Sequence, residues 1–232
     1  STNDECRIDL IAQAWSVLSG ASGAAYTGPA MAAVKSQLHD EPAGLLQLLA
    51  PPFAQSINNP GYIQAYPRGV RENGGQYSHG AVWALMAQAL QGDHEAAWQS
   101  FEGLSPAHRS RHPERGPVYE LEPYVMAGDV YGAAPYVGRG GWSWYTGSAA
   151  WLHRAAVETL LGLNVKGKQL SMTPHVPAHW PGFEIALRLG AREFTLQWGD
   201  MEGASTPTHQ LAAGDWIDWH ALPPNSTVRV LA

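Results

Sequence analysis

Residues 138–148 read GRGGWSWYTGS and stand directly before an apolar run that predicts a helix over residues 146–161. Glycines let the backbone approach a ligand closely, and the indole rings of Trp142 and Trp144 offer flat apolar faces to a sugar ring. A helix that begins at a threonine suits an anion, because its first amides and its dipole present positive charge there. The segment therefore predicts a site for a sugar and a phosphate at the start of a helix.

Composition restricts the class of protein. The chain has 232 residues, a net charge of -6 and no cluster of lysine and arginine, which argues against nucleic acid or an anionic membrane surface as a partner. Its one thiol, Cys6, allows no internal disulfide and favours a reducing compartment. No apolar run approaches the roughly 20 residues that span a bilayer, and the first residues lack signal-peptide features. We expect a cytoplasmic segment without membrane contact.

The chain changes character after residue 162. Helical spacing predicts about six helices: over residues 8–18, 30–38 with Pro29 in the first turn, 80–90, a helix capped by Asp93, 122–131 and 146–161. Short alternating segments between turns then predict strands over residues 169–172, 184–189, 193–198 and 227–231. The sequence therefore predicts a mainly α part, residues 1–162, followed by a β-rich part, residues 163–232.

A second polar loop also leads into a helix. Residues 58–75 are rich in proline and glycine, hold Arg71 and Glu72, and run into the helix start at His79. Long loops of this kind are usually functional in a compact domain. Two such loops before two helix starts predict a cleft at one end of a helical barrel. The ten tryptophans and nine tyrosines fit either a carbohydrate cleft or a large helical core.

Several long segments resemble one enzyme family. They are YPRGVRENGGQYSH at residues 66–79, EPYV at 122–125, GRGGWSWYTGSA at 138–149, and DECRID at 4–9 with Gln13 and Trp15 after it. The chain resembles the inverting glycoside phosphorylases of glycoside hydrolase family 94, which are related to cellobiose and chitobiose phosphorylase. Within the family it most resembles the C-terminal phosphorylase-like region of cyclic β-1,2-glucan synthases.

The resemblance implies a fold, a reaction and a set of site residues. The fold is the C-terminal half of an (α/α)6 barrel followed by a small β-sandwich-like domain. Inorganic phosphate is the co-substrate; it attacks a β-glucan or β-linked disaccharide with inversion, and no cofactor or metal is needed. Phosphate is assigned to His79, Thr146 and Gly147. The sugar is assigned to Arg71, Glu72, Gln76, Glu122, Arg139, Trp142, Trp144 and Tyr145.

The chain departs from the family pattern in one respect. The family's general acid is an aspartate in a GDWND-like motif upstream of all the matched segments, so no catalytic residue is assigned here. Residues 214–218, GDWID, imitate that motif but lie in the β-rich tail, where we expect a strand or turn with solvent-facing carboxylates. We therefore expect the chain to be inactive alone, its missing barrel half being supplied by another fragment or a second copy. The parent protein is either a free phosphorylase or a synthase attached to the bacterial inner membrane.

Some interpretations stay open at this point. The chain is alternatively a non-catalytic carbohydrate-binding or chain-length-control region, or part of an inverting hydrolase that uses a carboxylate such as Glu72 as base. Arg71 and Arg139 are either ligands or loop braces, and His79 and Thr146 are either ligands or plain helix caps. His108 and His112 have the spacing of a metal pair, but their neighbours predict an exposed loop and no metal site.

Overall fold

The computed structural model describes residues 3–231, and the chain forms two compact units. The first unit ends at Ala155 and the second begins at Ala156. The boundary that the sequence predicts, after residue 162, falls within the second unit.

The first unit is built from helices. They are α1 (Leu10–Leu18), α2 (Ala24–Gln37), α3 (Ser78–Leu90), α4 (His94–Leu104), α5 (Pro106–Arg111), α6 (Gly116–Tyr119) and α7 (Thr146–Arg154). A 3-10 helix covers Gly61–Ala65. A π-helix, Ala155–Leu160, follows α7 directly, and from Ala156 onward it belongs to the second unit.

Helix α3 is the centre of this unit. Nine of its 13 residues are buried, most of them small, so α1, α4 and α7 can pack closely against it. The Trp83 ring meets the rings of Trp15 and Trp151 edge to face, with centroids 5.5 and 5.8 Å apart. Aromatic packing of this kind joins α1, α3 and α7.

Three short antiparallel strand pairs hold the connections of the first unit. Strand β1 (Ile8–Asp9) pairs with β4 (Leu49–Ala50), and β2 (His39–Asp40) pairs with β3 (Leu45–Leu46). Strand β5 (Gln76–Tyr77) pairs with β6 (Asp129–Val130). Because β5 ends where α3 begins, this last pair fixes the position of the first turn of α3.

The second unit contains two sheets around one apolar core. Its strands are β7 (Leu163–Lys166), β8 (Gln169–Met172), β9 (Gly182–Leu189), β10 (Arg192–Gly199), β11 (His209–Ala212), β12 (Trp216–Asp218) and β13 (Ser226–Leu231). One sheet has the order β11-β13-β10-β9, with β13 parallel to both neighbours, and the other has the order β12-β8-β7. Residues of both sheets share a buried cluster that includes Leu170, Met172, Phe194, Leu196 and Val228.

Most predicted elements are confirmed. The four predicted strands correspond to β8, β9, β10 and β13, and the Asp93 carboxylate caps α4 by accepting the N–H of Ala96 at 3.2 Å. The helix predicted over residues 30–38 begins earlier, at Ala24, so placing Pro29 in its first turn is wrong. Alanines favour helix upstream of Pro29, and a proline in the second turn removes only one backbone donor.

The helix predicted over residues 122–131 is wrong. These residues form turns and then strand β6, which pairs with β5. Pro123 and Gly128 disfavour a helix locally, and the ladder to β5 supplies the backbone partners that a helix would otherwise provide. Within residues 3–231, no helix has the length and apolarity to cross a bilayer.

Alanine substitutions at two glycines of the second unit can test how tightly its backbone is packed. Gly162 (φ +71°) and Gly167 (φ +59°) both have left-handed backbone. A Cβ on Gly162 would strike the Thr173 carbonyl, whereas a Cβ on Gly167 would have no neighbouring atom within 4 Å. We expect G167A to lower the free energy of unfolding by about 1–2 kcal/mol through strain alone. G162A should lower it clearly further in the same urea titration, and equal losses would contradict this packing.

Candidate functional site

Two glycine-rich loops of the first unit meet at the β5–β6 pair. We call residues 66–75 the arginine loop and residues 138–145 the tryptophan loop. The N–H of Gly132 donates to the carbonyl of Gly69 at 2.8 Å, and Val130 forms a bridge with Gly140. The segment that carries β6 therefore lies between both loops and holds them together.

Arg71 links the two loops through both its backbone and its side chain. Its backbone is left-handed, with φ +50°, and its N–H donates to Asp129 Oδ2 at 2.9 Å. Its Nη2 donates to the Tyr145 hydroxyl at 3.0 Å, and its Nε lies 3.6 Å from Glu72 Oε2. A non-glycine residue with this φ is held by its surroundings, and here the Asp129 carboxylate supplies that hold.

Aromatic rings surround the Arg71 guanidinium. Its Cζ lies 5.6 Å from the ring centroids of Tyr66 and Trp142 and 5.9 Å from that of Tyr145. These are cation–π distances. Trp142 is still 66% exposed, so one indole surface is left for a ligand next to a fixed cation and the Glu72 carboxylate.

Asp129 is the residue of this cluster that the sequence reasoning missed. It is 1% exposed, and its Oδ1 has no hydrogen-bond partner among the described residues. Gly141 makes room for it, since a Cβ there would overlap the carboxylate. Burial raises the pKa of Asp129, while the N–H of Arg71 and the Arg71 charge oppose that rise. The sequence signal that could have identified Asp129 is an acidic residue within the otherwise apolar stretch 125–130.

His79 lies between the first turns of α3 and α7. It is the second residue of α3, and a Cβ on Gly147, the second residue of α7, would lie 4.0 Å from His79 Cε1. Neither helix has a side-chain cap, and Thr146 and Gly147 are exposed at the start of α7. The structure thus brings together the three residues to which the sequence analysis assigned phosphate.

The His79 ring has a nitrogen atom that is free to hydrogen-bond a ligand. Its ring packs 4.6 Å from that of Trp83, and its Nε2 is buried without a partner in residues 3–231. Burial lowers the pKa of His79, so the ring is neutral at neutral pH when nothing is bound. A nearby anion reverses that effect on the pKa of His79 because it favours the protonated ring.

Thr146 does not cap α7, because the N-cap position is Tyr145.

Gln76 and Arg139 already have protein partners. Gln76 is 2% exposed; its Oε1 accepts the N–H of Leu46 at 2.8 Å and its Nε2 reaches the Gly103 carbonyl at 3.5 Å. That arrangement favours a brace over a sugar ligand. Arg139 is about half exposed and pairs with Glu120 at 3.1 Å, which likewise favours the brace interpretation.

The remaining predicted sugar residues surround the tryptophan loop. Trp144 is 66% exposed, has φ +61°, and meets the ring of Tyr124 edge to face at 6.3 Å. Glu122 is half-buried two residues before Tyr124. Neither Trp142 nor Trp144 belongs to the core, so both indoles are available to a ligand, whereas Tyr145 is half-buried against Arg71.

Two other motifs of the sequence are the His108–His112 pair and the GDWID segment. His108 lies on α5, so the loop predicted there is wrong, and His112 follows the helix directly. No group of three potential metal ligands occurs within the described range, residues 3–231. Residues 216–218 of the GDWID segment form β12 in the second unit.

Comparisons with known proteins point to one family. The model described as "Glycosyl hydrolase 94 superfamily, catalytic domain" matches residues 1–162. The chain is 46% identical over 187 residues to the cyclic beta-(1,2)-glucan synthase NdvB of Rhizobium meliloti, covering 81% of this chain and 7% of that protein. It is 31% identical to the N,N'-diacetylchitobiose phosphorylase of Vibrio furnissii, over 92% of this chain and 26% of that protein. It is 28% identical to the solabiose phosphorylase of Paenibacillus borealis, over 77% of this chain and 23% of that protein. The matched part thus spans about a quarter or less of each of these relatives.

The Asp129 contact can be tested by two substitutions. D129A removes the acceptor of the Arg71 N–H and should lower the free energy of unfolding by about 1–3 kcal/mol. D129N keeps an acceptor oxygen and removes the buried charge, so it should cost less. Urea unfolding of both variants and the unchanged chain at neutral pH provides the comparison, and equal losses for both variants would contradict the assigned role.

The same variants give a pH dependence. Because the pKa of Asp129 in the folded state is raised above its ordinary value of 3.8, its carboxyl stabilises the fold when protonated. That contribution is lost as pH rises through the raised pKa. D129N has no such titration, so its stability relative to the unchanged chain should improve from pH 4 to pH 7. A difference that stays constant would show that Asp129 has an ordinary pKa.

Proposed function

Since the chain belongs to the glycosyl hydrolase 94 family, we propose that it forms the phosphate-binding side of the active site of a glycoside phosphorylase that acts on β-linked glucans. Relatives across most of the chain are named as phosphorylases of disaccharides, and phosphate is the co-substrate of phosphorolysis. The observation that carries the proposal is the meeting of His79 with the uncapped start of α7 at Thr146 and Gly147.

The phosphate lies against the first turn of α7. The amides of Thr146 and Gly147 and the Thr146 hydroxyl donate to its oxygens, because the first amides of a helix have no partner within the helix. The unpaired Nε2 of His79 supplies a further donor. Protonation of His79 on phosphate binding adds a charge-assisted hydrogen bond.

The sugar lies over the Arg71 cluster. One indole face of Trp142 packs against the sugar ring, while Arg71 and Glu72 bind sugar hydroxyl groups. The exposed indole lies beside both charged side chains, which allows these contacts together. The hydrogen bond from Arg71 Nη2 to Tyr145 holds the guanidinium before substrate arrives, and the bond from the Arg71 backbone N–H to Asp129 holds the loop that carries it.

Reaction requires an acid from outside this chain. Phosphate attacks the anomeric carbon with inversion while a carboxylic acid protonates the leaving oxygen. The first unit supplies half of an (α/α)6 barrel, and the other half, with the general acid, comes from another segment or a second copy. Its mainly helical make-up supports this assignment.

The parent protein is proposed to be a cyclic β-1,2-glucan synthase. The 46% identity to the synthase of Rhizobium meliloti supports this assignment over a free disaccharide phosphorylase. In that context the chain acts on β-1,2-glucan in a cytoplasmic part of a membrane-attached protein. A non-catalytic glucan-binding role predicts sugar binding without phosphate binding, and a hydrolase predicts cleavage that is independent of phosphate.

Phosphate should raise the pKa of His79. Without phosphate, burial holds that pKa below its ordinary value of 6.5, and a bound phosphate dianion favours the imidazolium form. Following the His79 ring proton by NMR over a pH series, with and without inorganic phosphate, measures both values. His209 in the second unit is the internal control and should not respond. A His79 pKa that phosphate leaves unchanged would contradict the proposed site.

The purified chain alone should show no phosphorolysis. We expect no phosphate-dependent release of glucose 1-phosphate from β-1,2-glucan, because the general acid is absent from the proposed half-site. A coupled enzymatic assay for glucose 1-phosphate measures this, with cellobiose, a β-linked disaccharide of glucose, as a second substrate. Measurable release by this chain would show that its own residues include the acid.

A further inference from the structure

Helix α5 and the turn that follows it border a cavity of about 330 Å³ in the first unit. Cationic and titratable side chains dominate its lining: His108, Arg109, Arg111, His112 and Arg115, together with the carboxylate of Glu102. None of these residues takes part in the proposed phosphate or sugar contacts.

Positive charge in this cavity lacks a partner. Within residues 3–231, Arg109, Arg111 and Arg115 form no ion pair with a carboxylate. Arg109 is only 2% exposed, and its burial, together with the nearby Arg115 charge, lowers the pKa of Arg109 to about 10. A buried cation beside a second cation is costly unless an anion accompanies them.

Hydrogen bonds fix the two inner guanidinium groups. Arg109 donates through Nε to the Gly103 carbonyl at 3.0 Å and through Nη2 to the Gly44 carbonyl at 2.8 Å. Arg115 donates through Nη2 to the Pro42 carbonyl at 3.1 Å. These carbonyl groups position the two side chains, and the Tyr119 ring lies at cation–π distance, 5.8 Å, from Arg109 Cζ. Neither the carbonyls nor the ring supplies a negative charge.

Three buried donors in this segment remain unpaired. Among the described residues, Arg109 Nη1, Ser110 Oγ and Arg115 Nε have no hydrogen-bond partner. Buried polar groups are normally satisfied, and a bound ion is one of the explanations for a local group of unsatisfied ones, beside ordered water and strain. Arg111 and His108 are exposed at the same cavity, so a ligand can reach it from solvent.

We propose that this cavity is a second anion site, which binds a phosphate-class oxyanion, either free phosphate or the phosphate group of a small ester. A tetrahedral oxyanion accepts several hydrogen bonds at once and matches the planar fork of arginine better than a halide does. The volume exceeds that of inorganic phosphate, which leaves room for a group esterified to it, such as a sugar. The site is independent of His79 and Thr146.

The test follows the ring protons of His108 and His112 by NMR while inorganic phosphate or glucose 1-phosphate is added to the chain. We expect saturating shifts at both histidines, and the tighter of the two probes identifies whether the site takes the free ion or the ester. R111Q should weaken binding about tenfold because one charge-assisted donor is lost. The matched control is R7Q, which removes another exposed arginine of the first unit and should have no effect.

An H79Q variant separates this site from the proposed active site. Its His108 and His112 shifts should persist, whereas the phosphate response at the start of α7 should be lost. Absence of saturating shifts at His108 and His112, or equal weakening by R111Q and R7Q, would overturn the second site and leave the His79 assignment unaffected.

Discussion

The hydrogen bond from the Arg71 N–H to the buried Asp129 carboxylate connects the parts of the candidate site. It holds Arg71 in left-handed backbone within the arginine loop, next to strand β5, which leads directly into α3. The Arg71 side chain reaches Tyr145, which leads directly into α7. The contact that fixes Arg71 thus lies between the two segments that lead into the helix starts at His79 and Thr146.

This arrangement has an energetic cost. Asp129 is buried with one oxygen unpaired, and an amide could accept the same N–H without a buried charge. Groups held at some cost to stability often belong to functional sites. Here the carboxylate accepts the backbone N–H of Arg71, and its charge favours the nearby Arg71 cation.

Local signals predicted much of the fold and of the site. The Asp93 cap, the alternation in β9 and the loop-to-helix transitions before His79 and Thr146 depend on neighbouring residues, and the structure contains each of them. The helix prediction for residues 122–131 was wrong because the strand that forms there depends on pairing with Gln76, which lies far away along the chain. For the same reason, the bonds of Gln76 to Leu46 and Gly103 cannot be read from its own motif.

The central claim is that the α3 and α7 starts form a phosphate site. A crystal structure of the chain grown in inorganic phosphate tests it most directly. We predict tetrahedral density within hydrogen-bond distance of His79 Nε2 and the amides of Thr146 and Gly147, and its absence in crystals of H79Q grown in the same way. Ordered water alone at that position, in crystals grown at a phosphate concentration that saturates the chain in solution, would contradict the account.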